Sequence, residues 1–170
     1  MSERRSFLRF SILAPVWKRA LFAQVLQPSL AATTLTISGD LPGPMTLSAE
    51  DLAGMPRSTV FVAEKDGTKI EYEGVPLREI LLHAQAPLGT RLRGKALASY
   101  VLARARDGYK VVFTLGELDA AFAGAKIIVA DKRDGKPLFD YQGPFRLVCP
   151  DDRAGARSVR MLEALDVVRR

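Results

Sequence analysis

Three Asp-Gly pairs, each placed between short strand-like runs, constrain the fold of this chain more than any other feature. They stand at Asp66-Gly67, Asp107-Gly108 and Asp134-Gly135. Asp-Gly is a preferred pair for tight turns between antiparallel strands, because glycine adopts the left-handed backbone conformation without steric penalty. The runs around the first two pairs predict hairpins of residues 58–64 with 68–72 and of 96–105 with 109–115. The third pair predicts a turn between strands.

Further strands are predicted by the apolar pattern. Residues 34–38 alternate between apolar and polar side chains, whereas residues 126–130 and 145–149 are compact apolar runs. Both patterns are typical of strands. Residues 159–168 fit either a helical turn or a strand, and the pattern leaves that choice open.

Helices are predicted to be few and short. Ser48, followed three residues later by Asp51, forms a capping box for a helix that Pro56 ends. Pro76 suits the first position of a second helix, whose apolar face recurs at a spacing of three to four residues. That face comprises Leu77, Ile80, Leu81 and Ala84. Leu118 and Phe122 suit a third short helix.

Size and composition favour one globular domain. The chain has 170 residues and is 48% hydrophobic, which is enough for a substantial core. Hairpins mixed with short helices predict a single α+β domain, which we place at residues 33–170. No apolar run reaches the length of about 18–20 residues that a membrane-spanning helix needs.

Most of the net charge of +6 belongs to the first 31 residues. This segment carries a net +4, which leaves +2 for the remainder. Arg4-Arg5 followed by Phe7-Leu8 resembles a twin-arginine export signal, and Ser29-x-Ala31 offers a cleavage site. We expect residues 1–31 to direct the protein to the periplasm; the alternative is a basic amphipathic helix that is retained. No later basic stripe interleaved with aromatic residues indicates nucleic-acid binding.

Several kinds of site are not expected. Zinc sites draw on several His and Cys ligands, and this chain has one of each, His83 and Cys149. His83 has no nucleophile motif beside it that would indicate a hydrolase. Asp131 and Asp134 lack the alternating oxygen ligands of a calcium loop. We therefore expect neither zinc nor calcium.

An ordered series of landmarks runs through the second half of the chain. It comprises Gly108-Tyr109, Leu115 with Glu117-Leu118-Asp119, residues 127–130, residues 134–138, residues 143–148 with Pro150, and residues 155–160. Upstream, residues 47–52, Met55-Pro56-Arg57 and residues 73–81 extend it. In this order and spacing the series resembles the molybdopterin-binding domain of the sulfite oxidase family. The resemblance implies that fold and an oxidoreductase-like ancestry.

The family's metal ligand has no counterpart here. Between the two upstream landmarks, members carry a cysteine whose thiolate binds molybdenum. Residues 58–73 contain no cysteine, and Cys149 lies in a core-strand run where the pattern has an apolar residue. The family's earlier Arg-Asn-His stretch is also missing. The resemblance thus implies molybdopterin as a cofactor, whereas the residues argue against molybdenum.

Four residues match positions that touch cofactor or substrate in the family. Tyr109 matches an active-site tyrosine, and Arg146 matches an arginine on the phosphate side of the pterin. Ser158-Val159-Arg160 matches a His-Val-Lys segment of the family that also contacts the cofactor, with Ser158 in place of the His and Arg160 in place of the Lys. We expect Tyr109, Arg146 and Arg160 to share one pocket. The alternatives are a half-buried strand tyrosine and arginines that pair with Asp140, Asp151 or Asp152.

These observations favour a degenerate, exported molybdopterin-binding-domain protein that binds a small anionic or pterin-like ligand without molybdenum catalysis. One alternative is a small periplasmic molybdenum-pterin oxidoreductase, which the leader favours. Another is a partner-binding or sensory module that reuses the fold. Whether the protein is an enzyme stays open at this point.

Overall fold

Two five-stranded sheets form the body of the protein. The computed structural model describes residues 34–64, 66–139 and 141–169. The predicted export signal and Asp140 lie outside these ranges. The strands are β1 (Thr34–Gly39), β2 (Met45–Ser48), β3 (Ser58–Ala63), β4 (Lys69–Pro76), β5 (Tyr100–Ala105), β6 (Lys110–Thr114), β7 (Ile128–Arg133), β8 (Lys136–Pro137), β9 (Arg146–Val148) and β10 (Leu162–Val168).

The helical elements are short. They are α1 (Ala49–Ala53), α2 (Leu77–His83) and α3 (Leu115–Leu118), with 3-10 turns at Gly89–Arg91, Gly94–Ala98 and Gly155–Arg157. Among the described residues, no helix has the length and apolar character needed to cross a membrane. The expected α+β class is confirmed by this combination of two sheets with a few short helices.

The first sheet has the strand order β2-β1-β10-β5-β6. The last strand, β10, runs parallel to β1 and antiparallel to β5, so the end of the chain lies in the middle of the sheet. These two pairings explain why residues 162–168 are a strand, which the sequence left open. Alternate residues of β1, β5 and β10 face the main core, and among them Leu35, Val101 and Leu165 are fully buried.

The second sheet has the order β3-β4-β7-β8, with β9 also paired to β7. One of its faces contributes Val75, Val129 and Leu147 to the main core, where they meet α2. The other face carries a smaller apolar cluster that includes Tyr72 and Val148. Burial on both faces is why β7 and β9 appear in the sequence as continuous apolar runs.

Both hairpins occur as expected. β3 pairs with β4, and β5 with β6, around the first two Asp-Gly turns. Ser48 and Asp51 form the predicted capping box. Four details differ. The second hairpin comprises only β5 and β6, because residues 94–98 form a 3-10 turn and Leu115 begins α3. Pro76 ends β4 and precedes α2, β7 begins at Ile128, and Phe122 lies beyond α3, where 56% of its surface is exposed. The stretch after α3 turns back toward β7, so the third helix stops after one turn.

Candidate functional site

A cleft of about 670 Å³ opens beside the second sheet, and we call it the arginine cleft. Its walls come from the ends of β3 and β7, from β4, from β9 and the residues just before it, and from the segment between β9 and β10. Two of its lining side chains are acidic, Glu64 and Asp152, and four are cationic: Arg133, Arg146, Arg153 and Arg160. This excess of positive charge favours an anionic ligand.

Arg146 is the most constrained of these cations. Its Nη1 donates hydrogen bonds to Tyr72 Oη at 2.8 Å and to Gln142 Oε1 at 2.7 Å. The guanidinium also lies 5.0 Å from the centre of the Tyr72 ring, within the range of a cation–π contact. Because Tyr72 belongs to β4, these contacts connect the start of β9 to β4.

The surroundings of Arg146 disfavour its charge. Burial lowers the pKa of its guanidinium, and the nearby charges of Arg160 and Arg133 lower it further, against the opposing effect of Tyr72. Its Nε is buried without a hydrogen-bond partner, and no carboxylate of the described chain pairs with it. A desolvated cation with an unused donor is stabilised when an anion binds beside it.

The structure brings three of the four sequence-predicted residues to this cleft. Ser158 and Arg160 line it together with Arg146. The Ser158 hydroxyl accepts a hydrogen bond from the backbone N–H of Cys149 at 3.1 Å, so its own proton is left to donate. Arg160 is exposed and has no ion-pair partner among the described residues. The alternative partners Asp151 and Asp152 make no salt bridge to Arg146 or Arg160 there.

Tyr109 is not among the residues that line the arginine cleft. It lies just before β6, is 46% exposed, and donates a hydrogen bond from Oη to the carbonyl of Ala156 at 2.6 Å. Ala156 belongs to the 3-10 turn that continues into the cleft wall. Tyr109 thus contacts the backbone of the cleft wall, and its sharing of one ligand pocket with the arginines stays a prediction.

Arg157 provides a second anchor for the same wall, and the sequence did not point to it. Its Nη2 donates to Glu117 Oε1 at 2.7 Å, and its Nε lies 3.2 Å from Asp152 Oδ2. The guanidinium also lies over the Phe113 ring, 4.7 Å from its centre. Because Glu117 and Phe113 belong to α3 and β6, these contacts hold the β9–β10 segment against the first sheet.

Cys149 lies at the floor of the cleft but is buried, with 4% of its surface exposed. Burial, and secondarily the charge of Asp152, raise the pKa of the thiol to about 12. Its Sγ lies 3.7 Å from the carbonyl oxygen of Arg157, a weak hydrogen bond that the protonated thiol donates. In this protonated state the thiol is a poor nucleophile, because nucleophilic attack requires the thiolate.

The segment that carries the metal-binding cysteine in the sulfite oxidase family does reach the cleft. From residues 58–73 the cleft receives Val62, Ala63, Glu64 and Tyr72. The positive walls fit the anionic part of a pterin cofactor, as the unused Nε of Arg146 indicates. Residues 58–73 contain no cysteine, so the segment that reaches the cleft offers positive and polar neighbours for the organic part of the cofactor but no thiol for a metal.

Within the described ranges, no group of three or more His, Cys, Asp and Glu side chains is close enough together to hold a metal ion. Asp131 forms a two-pronged ion pair with Arg57 at 2.8 and 2.6 Å, and Asp134 accepts the backbone N–H of Glu71. His83 is exposed at the end of α2. Asp131 and Asp134 are therefore structural.

A family model described as the oxidoreductase molybdopterin binding domain matches residues 62–170. The fold is similar to that of the sulfane dehydrogenase SoxCD from Paracoccus pantotrophus, with a TM-score of 0.60 and 22% sequence identity. The match covers 80% of this chain and 38% of that one, so this chain spans well under half of its structural relative. No significant match to a curated protein was found.

The state of Cys149 leads to a prediction about thiol reactivity. With a pKa raised from 9.0 to about 12, Cys149 should react slowly with a disulfide reagent at pH 8 and faster as the pH rises. The chain unfolded in urea, where the thiol titrates normally, serves as the control. The raised pKa also means that the thiol's contribution to stability is present below pH 9.0 and is lost toward about pH 12. Rapid, complete modification of the folded protein at pH 7 would show an available thiolate instead.

Proposed function

The chain belongs to the oxidoreductase molybdopterin binding domain family, and from this we propose that its arginine cleft binds a pterin-type ligand through an anionic group, without molybdenum catalysis. The observation that carries the proposal is Arg146. Its buried guanidinium has an unused Nε and two further arginines near enough to lower its pKa. A phosphate group supplies the negative charge and the acceptor oxygens that this arrangement lacks.

Different residues of the cleft have different roles in the proposed binding. Tyr72 and Gln142 orient Arg146, which leaves its remaining N–H groups for the ligand. Arg160 and Arg153, both exposed at the rim, attract the anion and close over it. Ser158 can donate its hydroxyl proton to a ligand oxygen. The carboxylates of Glu64 and Asp152 disfavour an anion that fills the whole cleft, so we place the charged group on the arginine side.

Molybdenum chemistry finds no support in the side chains of the cleft. Soft thiolate ligation is what holds and tunes a metal of this kind, and the one thiol present is buried and protonated. No oxygen-atom transfer step is therefore assigned to this protein. A small molybdenum oxidoreductase is the second candidate, favoured by the twin-arginine pattern of Arg4-Arg5, since that export route carries proteins folded around a cofactor.

The proposal predicts that inorganic phosphate binds in the cleft and that Arg160→Gln weakens it. Charge-assisted hydrogen bonds contribute roughly 1.5–3 kcal/mol each, so we expect a loss of about tenfold or more. Arg93→Gln removes the same charge from an exposed position outside the cleft and should change the affinity little. Calorimetric titration with phosphate, at two salt concentrations, measures the affinities of the wild type and of both variants.

Melting temperatures separate binding from folding. Arg160 is exposed, so Arg160→Gln should melt like the wild type, whereas Arg146→Ala should melt earlier because Tyr72 and Gln142 lose their partner. A wild-type protein without measurable phosphate affinity, or equal losses in the Arg160 and Arg93 variants, would contradict the proposal. In that case Arg146 is a purely structural residue.

We also propose that the protein is exported to the periplasm. The support is the Arg4-Arg5 pattern with the small residues at Ser29 and Ala31, all outside the described ranges. Cell fractionation with N-terminal sequencing should find the protein in the periplasm with an N-terminus at residue 32. Arg4-Arg5→Lys-Lys is expected to retain the precursor in the cytoplasm. A cytoplasmic wild-type protein that begins at Met1 would support the retained amphipathic helix.

A further inference from the structure

A second basic depression lies at one end of the first sheet. It has a volume of about 290 Å³ and is formed by Pro87, Arg91, Lys95, Ala96, Ser99 and Arg169. None of these residues lines the arginine cleft. Three of the six side chains are cationic, and no carboxylate is among them. We call this feature the end depression.

Ser99 gives the end depression an unused polar group. The residue is fully buried (0% exposed), and its Oγ has no hydrogen-bond partner. Its backbone is satisfied on both sides, since its N–H donates to the Ala96 carbonyl and its carbonyl accepts from Leu115 N–H, each at 3.0 Å. Buried hydroxyls normally have partners, so the Ser99 hydroxyl is free to bond to a molecule that enters the depression.

The backbone around Arg91 and Lys95 is well defined. Gly89 and Gly94 adopt φ values of +63° and +58°, which glycine tolerates, and each begins a 3-10 turn. Buried Asp119 accepts the Gly89 N–H, and this bond, with a second from Ala121, lowers the pKa of the carboxyl. Asp119 therefore stays charged and holds the 3-10 turn that begins at Gly89 in place.

Arg91 is itself oriented toward this feature. Its Nη2 donates to the carbonyl of Ala86 at 2.8 Å, which anchors one edge of the guanidinium and leaves the other edge for a ligand. Arg169 directly follows β10 and also lines the depression, and its backbone N–H donates to an Asp40 carboxylate oxygen. That bond holds the main chain and leaves the Arg169 side chain unengaged by Asp40.

We propose that the end depression is a second binding site, for a small oxyanion of the phosphate or sulfate class. Arg91, Lys95 and Arg169 supply the charge, and the Ser99 hydroxyl, after rotation about its χ1 bond, donates to a ligand oxygen at the floor. The volume is near the lower limit of small-molecule pockets, about 300 Å³, and suits a compact anion. This site is separate from the arginine cleft, and the proposal does not depend on ligand binding there.

An NMR titration of the full-length, ¹⁵N-labelled protein with inorganic phosphate tests the proposal. We expect saturable shifts of the Ala96 and Ser99 amides. Arg91→Gln should weaken this binding about tenfold or more, and Ser99→Ala about threefold, as expected for a charged and a neutral hydrogen bond. Arg93→Gln removes the same charge two residues away from Arg91, outside the depression, and should change the affinity less than twofold.

Two further measurements separate binding from folding, and this site from the arginine cleft. Ser99→Ala removes a hydroxyl without a partner, so it should not lower the melting temperature. Arg160→Gln should leave the Ala96 and Ser99 shifts unchanged, because Arg160 lies in the other cleft. The proposal is overturned if Arg93→Gln weakens binding as much as Arg91→Gln, if the shifts do not saturate, or if they are confined to the arginine cleft.

Discussion

The partly buried guanidinium of Arg146, which donates hydrogen bonds to Tyr72 and Gln142, is the group that makes the cleft favourable for an anion. Its position follows from the sheet: β9 pairs with β7, β7 pairs with β4, and Tyr72 of β4 comes to face the start of β9. Burial makes the charge costly, and the neighbouring arginines increase that cost. No carboxylate of the described residues forms an ion pair with this cation, and this is why we propose that an anion from outside the chain binds beside it.

The second wall of the cleft depends on contacts that reach across the molecule. Tyr109, Arg157 and Ser158 attach the segment between β9 and β10 to the first sheet, to α3 and to the end of β9. The residues that shape the cleft are thus drawn from both sheets. Because Tyr109 donates a hydrogen bond to the Ala156 carbonyl, a structural change at this edge of the first sheet should alter the position of the cleft wall.

Much of the fold could be predicted from local patterns, because turn and cap chemistry is local. The Asp-Gly hairpins and the Ser48–Asp51 capping box are examples. The extent of α3 and the nature of β10 could not, since they depend on pairing with distant strands. Arg146, Ser158 and Arg160 were placed together by family resemblance alone. Tyr72 and Arg157 were missed because their partners are 74 and 40 residues away in sequence.

We propose that the cleft of this family persists here without its metal ligand. Measuring the molybdenum content per protein chain, after purification from the native compartment, tests this proposal. We expect molybdenum well below one atom per chain, with the same value for wild type and Cys149→Ala, because the thiol is buried and its pKa is raised. One molybdenum atom per chain that is lost on this substitution would contradict it.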